Sequence, residues 1–267
     1  MIFDLKDATI WDPIVCNVMK NVLGNFYHSK LKKNVKRISY RDSDSEALEL
    51  FLGVASREIL KEEIKREICQ NFKETFAYHA CRPIRVDDYY ENGIVPLSPL
   101  EVQKQFRDYF SAYVSHKDID TAIAAVPLDT RERVVHVVLD DRDFIDGCGH
   151  YLIYGGEYQN CLAIHLPGAS ERTRDMLKKI GKATVFVCRL PFSTVTDFDY
   201  LIPLMMADHF FRVAHERVDV NTVDYTIILK EPIPPSAIVK HYCPIKIRDP
   251  YKNQFIWNDE TMKYEYP

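Results

Sequence analysis

The sequence lacks several features that would assign it to a class at once. No apolar run approaches the roughly 20 residues that a helix needs to cross a bilayer, so no membrane span or membrane partner is expected. The opening "MIFDLKDATIW" carries Asp4 and Asp7 and has no basic start ahead of an apolar stretch. That is not the pattern of a secretory leader, and a cytoplasmic protein is expected. The seven cysteines (Cys16, Cys69, Cys81, Cys148, Cys161, Cys188 and Cys243) are odd in number, widely spaced and free of CxxC. A disulfide framework is therefore not expected, and reduced thiols fit better. Neither sign of charge dominates: the net charge of −4 does not support binding nucleic acid through overall charge. No GxGxxG follows a strand and there is no GxxxxGK[ST], which argues against a dinucleotide-binding dehydrogenase and a P-loop NTPase. Internal repeats and low-complexity tracts are also absent.

What is present is enough for one large domain, or a core domain with an appendage, in 267 residues. Residues 1–73 read as a helical N-terminal region. One helix is expected from about Asp12 to Leu31, with Gly24 as its weak point. A second is expected between Ser43 and Phe72, where Leu48, Leu52, Ala55, Ile59, Ile64, Ile68 and Phe72 recur at helical spacing. The acidic stretch Asp42 to Glu46 offers N-caps for it. Between the two lies a basic run, "KLKKNVKR", Lys30 to Arg37. It reads as a solvated helix end or loop, or as a contact surface for nucleic acid or an acidic partner.

From residue 74 to 267 the character changes. "TFAYHAC" reads as a strand, Val86 to Glu91 as a short helix stopped at Asn92-Gly93, and "SPLEVQKQFRDYFSAYVSH" as a helix capped by Ser98. "RVVHVVLDD" is a strand, "HYLIYGGEYQNCLAIHL" a turn and helix, and "KATVFVCRLP" a strand. "DFDYLIPLMMADHFFRVAHER" is a helix with Pro203 near its start, and "VDYTIILKEPIPPSAIVKHY" a strand, proline turn and strand. Uneven alternation that closes on strand-turn-strand predicts an α+β fold with a mixed sheet rather than a doubly wound parallel one.

Polar residues interrupt three apolar strands: His79, His136 and, at a strand start, Asp224. "YGGEY", Tyr154 to Tyr158, adds a double glycine followed by Glu157. Taken singly, each has an ordinary reading as a core histidine, a turn former or a tight connection. Three pairs spaced two apart, His79/Cys81, Cys148/His150 and His241/Cys243, could each offer two metal ligands on a strand face. Zinc sites use other spacings more often, and no metal is expected.

In chain order these residues resemble the ADP-ribosyltransferase superfamily. "YHACRP" resembles the family's first-strand histidine, and "RVVHVVLD" the second-strand position in the branch that has histidine there. "YGGEY" is similar to the aromatic-Gly-small-Glu turn of the small antibiotic-modifying members. "DYTIILKEPIPPSAI" resembles the last hairpin, with Asp224 at the acid position. The resemblance covers about Thr75 to Tyr242. It departs from the usual pattern in having aspartate for glutamate and histidine for tyrosine. It implies a split, mainly antiparallel sheet, with the helical region as an N-terminal extension of the catalytic domain.

NAD is then the substrate, and breaking its nicotinamide–ribose bond creates an oxocarbenium-like centre. The resemblance implies catalytic roles for Asp224, His136 and Glu157, with Glu216 and Asp219 as reserve acids. His79 would bind ribose hydroxyls, and Arg82 or Arg85 the diphosphate. Tyr78, Tyr89, Tyr90 and Tyr154 are candidates to stack on nicotinamide. The implied protein is an intracellular toxin or phage-defence effector that modifies a macromolecule, RNA among the options with DNA or protein, and is held in check by an antitoxin protein. A non-catalytic interaction domain on the same scaffold is the alternative, and a metal-dependent hydrolase a third.

Overall fold

The computed structural model describes residues 1–25, 27, 54–126, 133–168 and 170–257. The basic run Lys30 to Arg37, the expected caps at Asp42 to Glu46 and the apolar positions Leu48 and Leu52 lie outside the described residues. Among the described residues the architecture is mixed α+β, with ten α-helices and a mainly antiparallel sheet.

The chain forms two compact units, residues 1–76 with 190–227, and residues 77–189 with 228–267. The helical N-terminal region is thus not an extension by itself. It shares a unit with a later stretch that the sequence assigned to the other domain.

In chain order the elements begin with β1 (Ile2–Phe3), α1 (Ala8–Leu23), α2 (Val54–Asn71) and β2 (Glu74–Cys81). Next come α3 (Asp87–Asn92), α4 (Pro99–Phe110), α5 (His116–Ala125) and β3 (Val135–Val138). Four helices follow: α6 (Arg142–Asp146), α7 (His150–Tyr154), α8 (Glu157–Ile164) and α9 (Ser170–Leu177). The remainder is β4 (Thr184–Pro191), α10 (Phe198–His215), β5 (Thr226–Leu229), β6 (Ile238–Tyr242), β7 (Lys246–Asp249) and β8 (Gln254–Trp257). No helix among the described residues is long and apolar enough to cross a membrane.

In the first unit α1 starts earlier than its apolar spacing suggested, because the Asp7 carboxylate caps it by accepting from the Thr9 N–H at 3.0 Å. The buried stripe of α2 is Leu60, Ile64 and Ile68, four residues apart, whereas Ile59, expected in that stripe, is exposed. Helices α1, α2 and α10 pack together. Trp11, Val15 and Met19 from α1 are buried, as are Met205, Met206 and Phe210 from α10. The rings of Phe3, Phe72 and Phe192 meet with centroids 5.3 to 6.2 Å apart, at the end where β1 lies parallel to the start of β2.

The main sheet has the order β5-β3-β2-β4-β6, and β7-β8 form a separate two-stranded sheet. Strand β4 is buried on both faces along most of its length, as its run of Val, Phe and Cys requires. Strand β3 is shorter than the sequence suggested. After Leu139 the chain enters two buried acids, Asp140 and Asp141, which bond Arg142 and the Tyr242 hydroxyl in place of a ladder.

Helix α3 stops where Asn92-Gly93 predicted. Gly93 has φ +80°, and Ile94 next to it exchanges backbone hydrogen bonds of 2.9 Å with Ile233. A Cβ at Gly93 would lie 2.2 Å from the Ile233 carbonyl oxygen. Gly93→Ala therefore combines left-handed strain with a backbone clash, and a loss of about 2–4 kcal/mol in urea unfolding is expected. An unchanged midpoint would show that this crossing is not rigid.

Candidate functional site

Strand β2 carries Tyr78, His79 and Cys81, and Arg82 follows its end. Tyr78 stands opposite Val138 in an antiparallel pair. Directly opposed residues share a face and successive residues alternate. His136 therefore shares a face with Tyr78, while His79 shares the other with Ala77 and Val137, both buried. Consistent with this, His136 is exposed and His79 half-buried. His79, expected to bind the ribose, and His136, expected to act in catalysis, thus project from opposite faces.

What joins them is backbone: His79 Nδ1 donates to the His136 carbonyl at 2.9 Å. Burial holds the His79 imidazole below its ordinary pKa, against the opposing pull of that carbonyl. The ring is accordingly neutral near pH 7, with its proton on Nδ1 and the Nε2 lone pair left as an acceptor.

Arg82 does not face a ligand. Its Nε donates to the Ile180 carbonyl at 2.9 Å and its Nη1 to that of Leu152 at 2.7 Å. Its Nη2 donates to the carbonyls of Lys178 and Gly181 at 2.6 and 2.9 Å. A guanidinium engaged in this way is a structural pin, and the expected diphosphate contact does not fit its placement. Arg85 pairs with Asp88 at 3.5 Å.

The stacking role expected for Tyr78 and Tyr154 does not fit either, because both are buried. The Tyr154 hydroxyl donates to the buried Asp249 carboxylate at 2.5 Å. Burial and that carboxylate push the phenol far above its ordinary range. Tyr89 stacks on Phe186 at 4.6 Å. Tyr90, 37 % exposed, is the most open of the four candidate aromatics, and its hydroxyl meets His241 Nδ1 at 2.9 Å.

Glu157 opens α8 directly after Gly155-Gly156. It is half-buried, lies 3.3 Å from His150 Nε2, and accepts from the Cys161 thiol at 3.8 Å. His150 Nδ1 is buried without a hydrogen-bond partner. Asp224 belongs to the other unit; it is exposed and stands two residues before β5. Among the described residues, no group of three or more His, Cys, Asp or Glu is placed to hold a metal ion.

The first unit holds a polar cluster that sequence reasoning missed. His209 is 1 % exposed; its Nδ1 donates to Asp12 at 2.7 Å and its Nε2 meets the Tyr27 hydroxyl at 2.7 Å. Arg212 donates to Asp12 through Nη2 and to the buried Asp208 through Nε at 2.7 Å. Asp208 in turn accepts from the Asn221 backbone N–H at 2.9 Å and from its side-chain amide at 2.7 Å. Only the i,i+4 spacing of Asp208 and Arg212 was open to a sequence reading. The same side chains that bind one another here join α1 to α10, so the arrangement acts structurally.

None of the protein families, curated proteins or solved structures compared with the chain matches it.

Burial pushes the Asp12 carboxyl up, but the hydrogen bonds and positive charge of His209 and Arg212 outweigh it and hold it below its ordinary value. The native state then binds fewer protons than the unfolded one in acid. The stability from this group is present above about pH 4 and is lost as pH falls through the lowered value. Asp12→Asn should flatten that fall, as read by urea unfolding across an acid pH series. Arg212→Ala, which leaves Asp208 buried without its cation, should cost about 3–5 kcal/mol at neutral pH. A loss within about 0.5 kcal/mol would mean that water replaces the guanidinium.

Proposed function

We propose that the chain is an NAD-dependent mono-ADP-ribosyltransferase that modifies a macromolecule inside the cell, acting as a toxin or defence effector with a neutralising protein partner. The observation that carries this reading is the state of His79. A neutral imidazole fixed at a strand end, with Nδ1 committed to the His136 carbonyl, offers Nε2 to a hydroxyl such as that of a ribose.

In the proposed reaction the bond between nicotinamide and ribose C1′ breaks, and nicotinamide leaves with the electron pair. The acceptor's nucleophile bonds to C1′ and gives up its proton to a base. Asp224, an exposed residue, is the acid proposed to stabilise the positive charge that develops on the ribose. Glu157, drawn toward His150 and Cys161, is the second acid. The acceptor is proposed to be a nucleic acid, RNA before DNA, with protein as the remaining class.

A second reading is favoured by specific observations. Arg82 is engaged with four carbonyls, Tyr154 is buried, and His79 and His136 project from opposite faces. These suit an interaction domain that binds without turnover.

Labelled NAD incubated with the protein and a cell extract, in parallel protease and nuclease arms, separates the readings. Label entering nuclease-sensitive material supports transfer to nucleic acid; absence of both binding and transfer leaves the interaction domain. His79→Ala should weaken NAD binding about tenfold, the worth of one hydrogen bond. Asp224→Ala should abolish transfer with an unchanged circular dichroism spectrum. Full activity in that variant would move the acid role elsewhere.

A further inference from the structure

Three side chains of the second unit close into a ring around one arginine. Arg174, on α9, donates through Nε to the Asn160 Oδ1 at 2.9 Å. Asn160, on α8 and only 3 % exposed, donates through Nδ2 to the Tyr251 hydroxyl at 3.1 Å. Tyr251 lies in the turn between β7 and β8, and the guanidinium carbon of Arg174 stands 4.0 Å from the centre of its ring. A buried amide thus holds the arginine by its Nε, and a phenol ring sets its plane. Nη1 and Nη2 take no hydrogen-bond partner among the described residues.

Arg174 is half-buried, and among the described residues no carboxylate pairs with it. The acids around the cluster are committed elsewhere. Asp175 pairs with Lys178 at 2.8 Å and with Lys252 at 2.9 Å. Asp249 accepts from the Tyr154 hydroxyl and the Tyr251 N–H. Glu157 lies against His150 at 3.3 Å. A guanidinium stays charged at any ordinary pH, and a charge withdrawn from water is normally paired. The Tyr251 hydroxyl also has a proton to give, because it accepts from Asn160 and none of the described residues accepts its own hydrogen. Positive charge and hydrogen-bond donors are therefore held in place with no protein group to receive them.

From this arrangement we infer that Arg174 and Tyr251 bind a phosphate group of a small ligand. A planar carboxylate would satisfy the guanidinium edge alone, whereas a phosphate has a further oxygen out of that plane for the Tyr251 hydroxyl. The cluster is tied to the strand that carries His79. Arg82, which follows that strand, donates to the carbonyls of Leu152 in α7 and of Lys178, four residues after Arg174. The diphosphate contact expected of Arg82 thus passes to Arg174. As the holder of the NAD diphosphate this inference rests on the transferase reading; as a phosphate site it does not, and it can be measured without NAD.

The test uses the full chain and inorganic pyrophosphate, titrated by isothermal calorimetry at low ionic strength. Wild type is expected to bind, and Arg174→Ala to bind about tenfold more weakly or worse. Arg174→Lys keeps the charge but loses the fork and the stacked plane, and should weaken binding about fivefold or more. Tyr251→Phe keeps the ring under the guanidinium, removes only the hydroxyl, and should weaken binding about threefold or more. Arg172→Ala removes an exposed arginine from the same helix and should leave binding unchanged. Tricarballylate, a tricarboxylate of similar charge, should bind about fivefold more weakly than pyrophosphate or worse.

Circular dichroism and thermal melting confirm that each variant is folded, and Tyr251→Phe, which removes one atom from an exposed residue, keeps the test open if Arg174→Ala misfolds. The inference is overturned if wild type fails to bind pyrophosphate, if Arg174→Lys or Tyr251→Phe binds like wild type, or if tricarballylate binds equally well. Pyrophosphate bound through Arg174 by a chain that neither binds nor transfers labelled NAD would sink the transferase reading alone. Transfer of labelled NAD with an affinity unchanged in Arg174→Ala, by a chain that does not bind pyrophosphate, would sink this one alone.

Discussion

A guanidinium carries five donors in a rigid plane, so one arginine can hold several carbonyls that have no ladder to join. Arg82 does this at the end of β2. Its four acceptors come from Leu152 in α7 and from the connection between α9 and β4. A buried carbonyl without a donor costs on the order of 1–3 kcal/mol, so this fork offsets a penalty that the loop could not otherwise avoid. Gly181 adds to the lock, because a side chain there would collide with the carbonyls of Arg82 and Pro83. The strand bearing His79, the helix bearing Tyr154 and the turn leading to Glu157 are all referred to this one cation. An arginine that looked like a phosphate ligand in the sequence therefore acts one level lower, by fixing the residues around it.

The two units use buried charge differently. In the second unit buried acids are met by tyrosine hydroxyls and local backbone, as Asp249 is by Tyr154 and the Tyr251 N–H, and Asp141 by Tyr242. In the first, Asp12, His209, Arg212, Asp208 and Asn221 form a connected chain in which most groups have two partners. Such a chain specifies one arrangement of α1 on α10 more sharply than leucine packing would, because a shifted helix would strand several charges at once.

Elements with a strong local signal were legible in the sequence. Strand β2 stood out by its apolar and aromatic run, α3 by its Asn92-Gly93 stop, and α10 by its large apolar side chains between Asp197 and Arg217. Weak local signals hid the rest. Helix α9, "SERTRDML", is almost wholly polar, and β7, "KIRD", has one apolar residue in four. Sheet register was not legible, and it was register that separated His79 from His136. Nor was the Asp12–His209 pair, whose members lie 197 residues apart with nothing local to announce either. The candidate site was thus readable as a set of residue types on strands, but not as a set of directions.

The first unit is built from two stretches of chain with the whole of residues 77–189 threaded between them. This imposes an order on synthesis. The apolar residues of α1 and α2 leave the ribosome first, while α10, which packs on them and supplies Arg212 to Asp12, is still untranslated. At ordinary rates of elongation that gap lasts roughly ten seconds. For that time the N-terminal third of the protein is a sticky, unfinished half-core, and it is the arrival of the later segment, rather than the emergence of the first, that completes it.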